Sequence, residues 1–303
     1  MSVLVVCLSP ALQSTYDFTS FNVDEVNRAS SHTLHASGKG VNVSRVLSSI
    51  GLENTSLTVL GGDRTEEYLR YCRDEGVDLI YVDTHTSIRT CTTIIDNRRH
   101  QSTELVEEAP MVTPDVEDRL LELYSSEISK HDAVVITGSV PMGFSNDVFA
   151  RMTHIASEKG RMVILDIRGE LLKRALLEKP TIMKPNIAEF METFYPDLKV
   201  LEHDDTDELF RLVEEKSAYI YREYGTRVII TRGDRSTWAY DGERLLDVSI
   251  DEEFDGPIVN TVGCGDTFTA IFLFHLILGY SYEVAITRGM VAASKRAHRK
   301  DLL

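Results

Sequence analysis

The segment with the most specific chemistry spans residues 260–268, which read NTVGCGDTF. Gly263 and Gly265 directly precede an apolar run, and a helix starting there would turn backbone N–H groups toward a bound anion. Phosphoryl transfer needs such a positive cradle, because charge spreads over the equatorial oxygens of the transferred group. Asp266 would lie in the first helical turn, where its carboxylate could accept the proton of an attacking hydroxyl. In the alternative interpretation, the glycines form an ordinary turn and Asp266 only stabilises the helix dipole.

A second candidate segment is residues 37–42, which read SGKGVN and lead into a helical pattern. The GxxxxGK[ST] spacing of a Walker A loop is missing, and a dinucleotide fingerprint would need glycine at Val43. The turn instead places Lys39 and Asn42 at a helix start, which suits a polyhydroxyl ligand with an anionic group. A solvated basic turn is the alternative interpretation.

A third segment, residues 184–189 (KPNIAE), follows a short predicted strand. Ligands of α/β sheets gather at the carboxyl ends of strands. Asn186 and Glu189 would lie on one helix face, where an amide and a carboxylate can orient hydrated magnesium near phosphates. Alternatively, Asn186 is a helix N-cap and Glu189 its capping-box partner, and both interpretations can hold together. Two further strand ends, at 137–141 and 231–234, could be purely structural.

The elements that must position these segments alternate between apolar β-branched runs and longer helical patterns. Strands are predicted at 3–8, 56–60, 133–137, 162–167, 181–183 and 228–231. Helices are predicted at 41–49, 65–75, 114–129, 146–159 and 206–224. This alternation predicts βαβ units, and therefore a mainly parallel sheet covered on both faces.

Two segments break this rhythm. Residues 15–34 are polar without a helical period, and residues 87–107 read as two alternating strands around Asp96-Asn97-Arg98, a hairpin signature. They predict a small sheet standing off one large domain, with one face covered by ligand or by a partner subunit.

Composition limits the function classes. The chain has 303 residues and a formal net charge of -16, which argues against nucleic-acid and anionic-membrane surfaces. Its 4 cysteines form no CxxC and lie near no His pair, which argues against disulfides and zinc and suits a reducing compartment. There is no signal-peptide pattern and no apolar stretch of membrane-spanning length. We therefore expect a cytoplasmic protein.

Taken in order, these segments resemble the ribokinase-like (PfkB) sugar kinases, and among them the 1-phosphofructokinase and tagatose-6-phosphate kinase branch. The resemblance runs nearly end to end. It rests on SPAL at 9–12, EVNRA at 25–29, SGKGVNVSRVL at 37–47, GG at 61–62, IRT at 88–90, EEAP at 107–110, TGSVP at 137–141, KPNIAE at 184–189 and TVGCGDTF at 261–268.

The resemblance implies one ribokinase-like domain over residues 1–303, a three-layer α/β/α fold with a small β-sheet lid formed by insertions at about 12–35 and 86–108. It also implies pairing of lids into a homodimer, with ATP and Mg²⁺ as cofactors and a sugar phosphate as substrate. Asp266 would be the catalytic base, and Glu189 would hold the metal through water. The remaining positions implied are Gly263, Cys264 and Gly265 for the anion hole; Lys184, Asn186, Glu189, Thr231 and Gly233 for ATP; and Gln13, Arg28, Ser37, Gly38, Lys39, Asn42, Arg89 and Ser139 for the sugar phosphate, with Arg28 and Arg89 gripping its phosphate.

The sequence departs from the family pattern mainly in the sugar pocket. Ser9 and Gln13 stand where the family usually has Asn and Asp, and Ser37 replaces a usual glycine. Gln13 is neutral and carries a donor, so the hydroxyl pattern it recognises can differ. Cys264 replaces a usual alanine in the anion hole. A thiol at a helix N-terminus can have a lowered pKa and be oxidisable, although the alternative is a small side chain standing in for alanine.

The expected reaction is ATP-dependent phosphorylation of a sugar-phosphate hydroxyl, converting fructose 1-phosphate into fructose 1,6-bisphosphate. The alternatives are a tagatose-6-phosphate or fructose-6-phosphate kinase, a kinase of an unphosphorylated sugar or nucleoside, and a non-catalytic sugar-phosphate sensor. Arg28, Lys39 and Arg89 argue against a neutral substrate. The intact Asp266 motif and the Asn186–Glu189 pair argue against a sensor.

Overall fold

Buried strands alternate with longer helices along most of the chain. The computed structural model describes residues 1–201, 204–250, 254, 258 and 260–299. In chain order, its strands are β1 (Val3–Cys7), β2 (Ala11–Phe18), β3 (Ser31–Ser37), β4 (Asn54–Leu60), β5 (Leu79–Asp83), β6 (Arg89–Asp96), β7 (Gln101–Val106), β8 (Ala133–Thr137), β9 (Met162–Asp166), β10 (Ile182–Met183), β11 (Arg227–Ile230), β12 (Thr237–Tyr240) and β13 (Leu245–Val248). Its helices are α1 (Lys39–Ser49), α2 (Thr65–Asp74), α3 (Asp115–Glu127), α4 (Val148–Glu158), α5 (Gly169–Leu176), α6 (Ile187–Phe194), α7 (Asp207–Tyr224), α8 (Cys264–Ile277) and α9 (Tyr282–Ala297), with a 3-10 turn at Ile128–Lys130.

A large sheet forms the frame of the fold. Among the described residues it has 9 strands, in the order β13-β12-β11-β10-β9-β8-β1-β4-β5. All neighbours from β5 to β11 are parallel, whereas β12 and β13 add to one edge in antiparallel fashion. Because parallel neighbours need crossover connections, the helices end up on the two faces of the sheet.

The central strand β1 shows how both faces are covered. Leu4 and Val6 pack into a core that includes residues of α3, α4, α5, α6 and α7. Val3 and Val5 pack into a second core with residues of α1, α8 and α9. Successive side chains of a strand point to opposite faces, so a strand buried on both sides must be apolar throughout. The predicted three-layer α/β/α fold with a mainly parallel sheet is confirmed.

A separate sheet of 4 strands, in the order β3-β2-β6-β7, stands beside the large one. We call it the small sheet. β2 pairs with β3 in antiparallel and with β6 in parallel fashion. β6 and β7 form the hairpin predicted around residues 96–98, with Asp96 paired to Gln101 across the turn. The predicted small sheet is therefore confirmed.

The topology brings the candidate segments to one edge of the large sheet. The carboxyl ends of β1, β8, β9, β10 and β11 all lie at this edge because these strands are parallel. The small sheet follows β1 directly, since only residues 8–10 separate β1 from β2. Among the helices of the described ranges, none is long and apolar enough to cross a membrane.

Candidate active site

A cleft of about 390 Å³ lies where the small sheet meets the strand ends of the large sheet. This volume falls within the range of small-molecule sites. The large domain contributes charged side chains to its wall, and the small sheet contributes Gln13, Cys91, Glu104 and Val106. The predicted site residues that line the cleft are Gln13, Ser37, Gly38, Lys39, Asn42, Arg89, Lys184, Asn186, Glu189, Thr231, Gly263, Gly265 and Asp266.

The start of α8 supplies the anion cradle and the carboxylate. Gly263 precedes the helix with a φ of 80°, a left-handed conformation that glycine adopts without steric cost. A Cβ atom at Gly265 would lie 3.9 Å from Nζ of Lys184, so the missing side chain leaves room between the helix start and the ammonium group. This room is suited to a phosphate oxygen, because both backbone N–H groups and the ammonium favour negative charge there.

Asp266 is only 5% exposed, in the first turn of α8. Burial raises the pKa of its carboxyl from 3.8 to about 6, although the nearby Lys39 and a hydrogen bond from Asn42 oppose the shift. Nδ2 of Asn42 donates that bond to Oδ2 at 2.8 Å. Asp266 is thus a carboxylate with a basicity matched to proton abstraction near neutral pH.

Cys264 does not line the cleft. Its thiol lies 3.9 Å from the carbonyl oxygen of Asn260, and burial raises its pKa to about 11. Burial therefore shifts the pKa of the Cys264 thiol in the direction opposite to the lowered value expected at a helix N-terminus. The backbone N–H of Cys264 donates to the carbonyl oxygen of Thr261 at 3.2 Å, so it is engaged in the turn that precedes α8. All 4 cysteines of the chain are free thiols.

Two lysines and two carboxylates form a charged cluster in the cleft. Nζ of Lys184 lies 3.0 Å from Oδ2 of Asp166. Nζ of Lys39 lies 3.7 Å from Oδ1 of Asp166 and 3.6 Å from Oε1 of Glu189. Burial opposes ionisation of Asp166, but Lys184 and Lys39 hold the pKa of its carboxyl below the usual range. The charge of Asp166 in turn raises the pKa of Lys39 above the usual range, which favours its cationic form.

Asp166 was not singled out in the sequence, although it ends the buried strand β9. A carboxylate at the end of an otherwise apolar run, at the carboxyl edge of a parallel sheet, was the available signal. The sequence predicts Lys39 in the sugar-phosphate pocket, and the structure places its ammonium between the carboxylates of Asp166 and Glu189. Lys39 therefore also contacts Glu189, a residue expected to bind ATP.

Asn186 and Glu189 form the capping box that was the structural alternative for this segment. Oδ1 of Asn186 accepts from the backbone of Glu189 at 2.7 Å, and Oε2 of Glu189 accepts from the backbone of Asn186 at 3.0 Å. These bonds hold both side chains at the start of α6, facing the cleft. The cap therefore fixes the orientation of Glu189 and leaves Oε1 beside Lys39.

On the small-sheet side of the cleft, Nε2 of Gln13 donates to Oγ1 of Thr93 at 2.9 Å. Because this bond uses the amide nitrogen, Gln13 has its carbonyl oxygen left to accept from a ligand. Arg89 lines the cleft, but its Nη1 and Nη2 donate to the carbonyl oxygens of Glu107 and Ser9 at 3.1 and 3.0 Å. Its guanidinium is thus partly engaged by the backbone at the base of the small sheet.

Besides Cys264, three predicted site residues do not line the cleft. Arg28, Ser139 and Gly233 are exposed and lie outside it. Arg28 follows β2 on the loop to β3, so it would need to reach a substrate from outside the cleft of its own chain. Ser139 and Gly233 lie in the turns after β8 and β11, near but not on the cleft wall.

The residues of the cleft are suited to the phosphate groups of a nucleoside triphosphate and to a magnesium ion that accompanies them. Two ammonium groups and the glycine start of α8 converge as phosphate recognition requires. Among the described residues, no group of three His, Cys, Asp or Glu side chains could hold a metal. Mg²⁺ in kinases is commonly held by one or two carboxylates, water and substrate phosphates, so Glu189 suits that ion.

Comparison with known proteins identifies the family. A model of the pfkB family of carbohydrate kinases matches residues 4–301, and the chain belongs to that family. Membership implies a carbohydrate kinase that uses ATP as phosphoryl donor. The tagatose-6-phosphate kinase of Staphylococcus epidermidis is 28% identical over 274 residues, which cover 88% of this chain and 83% of that protein.

Solved structures agree on the fold. A possible 1-phosphofructokinase from Thermotoga maritima superposes with a TM-score of 0.86 at 23% identity, covering 100% of this chain and 94% of that one. The tetrameric inhibited form of phosphofructokinase-2 from Escherichia coli superposes with a TM-score of 0.83 at 21% identity, covering 97% and 93%. At these identities the likeness establishes the fold alone.

Proposed function

We propose that this protein transfers the terminal phosphoryl group of ATP to a primary hydroxyl of a hexose phosphate, with Asp266 as the general base. The observation that carries the proposal is the position of Asp266. Its buried carboxylate has a pKa raised to about 6, and it lies beside a glycine-bounded helix start in a cleft that also holds Lys39 and Lys184. A base and an anion cradle in one cleft are what transfer to a hydroxyl needs.

Each part of the cleft has a role in this reaction. Asp266 accepts the hydroxyl proton as the oxygen attacks. The backbone N–H groups at Gly263 and Gly265 stabilise charge on the transferred group, and Lys184 and Lys39 neutralise neighbouring phosphate oxygens. Asn186 and Glu189 would hold Mg²⁺ through water. The bound nucleotide and metal supply the phosphoryl group and the main positive charge on its oxygens.

For the acceptor we propose fructose 1-phosphate, which carries its phosphate at one end and a primary hydroxyl at the other. Arg89 is the candidate cation for the phosphate, while Gln13, Ser37, Gly38 and Asn42 face the sugar. A second candidate is tagatose 6-phosphate, favoured by the 28% identical relative from Staphylococcus epidermidis. Fructose 6-phosphate has the same arrangement of groups and belongs in the same comparison.

A screen of ADP release with Mg²⁺ and ATP tests the proposal. Fructose 1-phosphate, tagatose 6-phosphate, fructose 6-phosphate and the free hexoses are compared at equal concentrations, with Asp266→Asn as the inactive control. We expect turnover with a phosphorylated hexose and a kcat/KM at least tenfold lower for free hexoses. Thermal stabilisation by sugar phosphates without turnover on any acceptor would instead indicate a non-catalytic sensor.

We also propose a homodimer formed through the small sheet. All residues of its edge strand β7 are exposed, and Leu105 is 54% exposed. By the alternation of a strand, Leu105 lies on the face opposite to Glu104 and Val106, which line the cleft. An exposed edge strand with an apolar side chain is a surface that a partner subunit can cover.

Leu105→Glu should shift the sedimentation coefficient toward the monomer, whereas Leu177→Glu, at another exposed leucine, should not. Equal behaviour of both variants would contradict the proposal.

A further inference from the structure

Arg45 on α1 is a fully engaged buried arginine behind the cleft. It is 1% exposed and does not line the cleft, so it cannot touch a substrate. Its Nε donates to Oε2 of Glu75 at 2.7 Å, and its Nη2 lies 2.6 Å from the same oxygen. Nη2 also donates to the carbonyl oxygen of Ala36 at 2.5 Å. The guanidinium is therefore fixed on two sides by α2 and by the end of β3.

The third nitrogen of this guanidinium, Nη1, contacts Asn42, the residue that donates to Asp266. Nη1 of Arg45 donates to Oδ1 of Asn42 at 2.8 Å, while Nδ2 of Asn42 donates to Oδ2 of Asp266 at 2.8 Å. The hydroxyl of Ser37 also donates to Oδ1 of Asn42, at 3.4 Å. A guanidinium has only donors and an ionised carboxylate only acceptors. The Asn42 amide therefore has one favourable orientation, since a flip would oppose like groups at both ends.

We propose that Arg45 is a positioning residue for phosphoryl transfer, which holds the Asn42 amide so that its NH₂ group donates to Asp266. Arg45 acts through Asn42 and touches neither substrate nor reacting atoms. This inference rests on the proposed role of Asp266 as base. It adds a connected path from Glu75, the residue after α2, through α1, to the first turn of α8.

The path has a consequence for proton abstraction. The charged groups that face Asp266 are Lys39 from α1, Lys184 after β10 and Asp166 at the end of β9. The hydrogen bond from Asn42 lowers the pKa of Asp266 against the effect of burial. Without Arg45 the amide can rotate, and the carboxylate loses a donor that favours its ionised form. Asp266 then needs a higher pH to be ionised, and its carboxylate oxygen is less well oriented toward the attacking hydroxyl.

A purely structural role is the competing interpretation, because a buried ion pair of this kind also holds α1 against α2. Such a role predicts loss of stability without change in the chemistry. The two interpretations differ in two measurable quantities. A positioning role changes the pH profile of the reaction and makes the effects of Arg45 and Asn42 substitutions non-additive, whereas a general loss of stability changes neither.

The test uses Arg45→Lys, which keeps the positive charge but replaces the planar guanidinium and its several N–H donors by a single ammonium group. We expect kcat to fall by about 10- to 100-fold with little change in the KM for ATP. The acid limb of kcat/KM should move up by about one pH unit, the size expected for one lost hydrogen bond to a charged group. Asn42→Ala should show the same shift, and the double variant should be no slower than Asn42→Ala alone, because the two residues act in series.

Two further variants keep the test decisive. Glu75→Gln leaves Arg45 in place but weakens its anchor, and it should shift the acid limb in the same direction by a smaller amount, so it serves if Arg45→Lys folds poorly. Arg151→Lys, at an ion pair with Glu117 on α3, is the matched control and should leave the profile unchanged. If the Arg45 and Glu75 variants lower the melting temperature but keep the wild-type kcat and pH limb, or if the Arg45 and Asn42 losses multiply, the proposal is overturned. Should Asp266→Asn itself keep a normal rate, the proposed function fails first, and that result is distinct from a failure of Arg45 alone.

Discussion

The ammonium group of Lys184 lies 3.0 Å from the carboxylate of Asp166, and the two side chains are only 4% and 3% exposed. Such a buried pair is maintained by mutual neutralisation, since either charge alone would be costly in this environment. The pair also presents Lys184 to the glycine start of α8. One side chain thus serves both the stability of the large domain and the charge of the cleft.

Lys184→Met should separate these two roles. It removes a cation from the phosphate end and leaves Asp166 with the more distant Lys39, so the unfolding free energy should fall by about 3 kcal/mol or more. The KM for ATP should rise at the same time. Lys39→Met, at a side chain that is 44% exposed, should raise the KM for ATP with a much smaller loss of stability. Adding Asp166→Asn to Lys184→Met should restore part of the stability but not the ATP affinity. Denaturant titrations and steady-state kinetics of the three variants measure both effects, and recovery of ATP affinity in the double variant would refute the assignment.

The pH dependence of the reaction should report Asp266. The base must be ionised, and burial raises its pKa to about 6, so kcat/KM for the sugar phosphate should rise with pH through about 6 and then level off. Asp266→Asn should lower kcat by about 10²- to 10⁴-fold. The measurement is a pH profile from 5 to 9 at saturating ATP. A profile that is flat across this range, or a variant with near-normal kcat, would remove Asp266 from its role.

The same carboxylate should cost stability at neutral pH. The folded-state pKa of about 6 lies above the value of 3.8 expected in the unfolded chain. The folded protein therefore binds an extra proton between about pH 4 and pH 6, and this contribution to stability, present below that window, is lost as the pH rises through it. Asp266→Asn should accordingly be stabilised relative to the wild type at pH 8, by up to about 3 kcal/mol, and much less at pH 4. Melting curves at the two pH values test this, and an equal difference at both would contradict it.

Arg89 should be the phosphate-recognising residue of the acceptor site. Arg89→Ala should raise the KM for the phosphorylated hexose by about 10- to 100-fold, the value of one or two hydrogen bonds to a charged group, and leave the KM for ATP unchanged. Since its Nη1 and Nη2 already donate to the carbonyl oxygens of Glu107 and Ser9, a structural role is the competing explanation. In that case the variant would melt earlier with an unchanged KM. Arg119→Ala, at an exposed ion pair on α3, is the matched control.

Local patterns were sufficient to predict the frame of the fold and most of the cleft. β8 lies at residues 133–137 as predicted, because a run of five buried apolar and β-branched residues has few alternatives. Most of the motifs at the strand ends line one cleft because parallel strands carry their carboxyl ends to the same edge. Strand β5 was not predicted, and only Val82 of its five residues is buried. At the edge of a sheet the apolar signal of a strand is weak.

What could not be predicted depends on contacts between distant parts of the chain. Asp166 pairs with Lys39, from the first helix, and nothing in the local pattern of either residue indicates that partner. Arg45 reads as an ordinary helical arginine, yet α2 and the small sheet bury it completely. The pKa of Cys264 also depended on tertiary burial, which reversed the direction expected from its place at a helix N-terminus.

The order of strands in the large sheet has a consequence for folding of the chain while it is being synthesised. Strand β1 is the centre of the sheet, but its two neighbours, β4 and β8, are made about 50 and 130 residues later. Asp266 meets Asn42 only after a further stretch of roughly 130 residues, which takes roughly 6 to 26 seconds at typical elongation rates. During that interval one face of the central strands lacks the cover of α8 and α9. The nascent chain therefore exposes an apolar surface until α8 is made, and completion of the proposed active site coincides with closure of the second core.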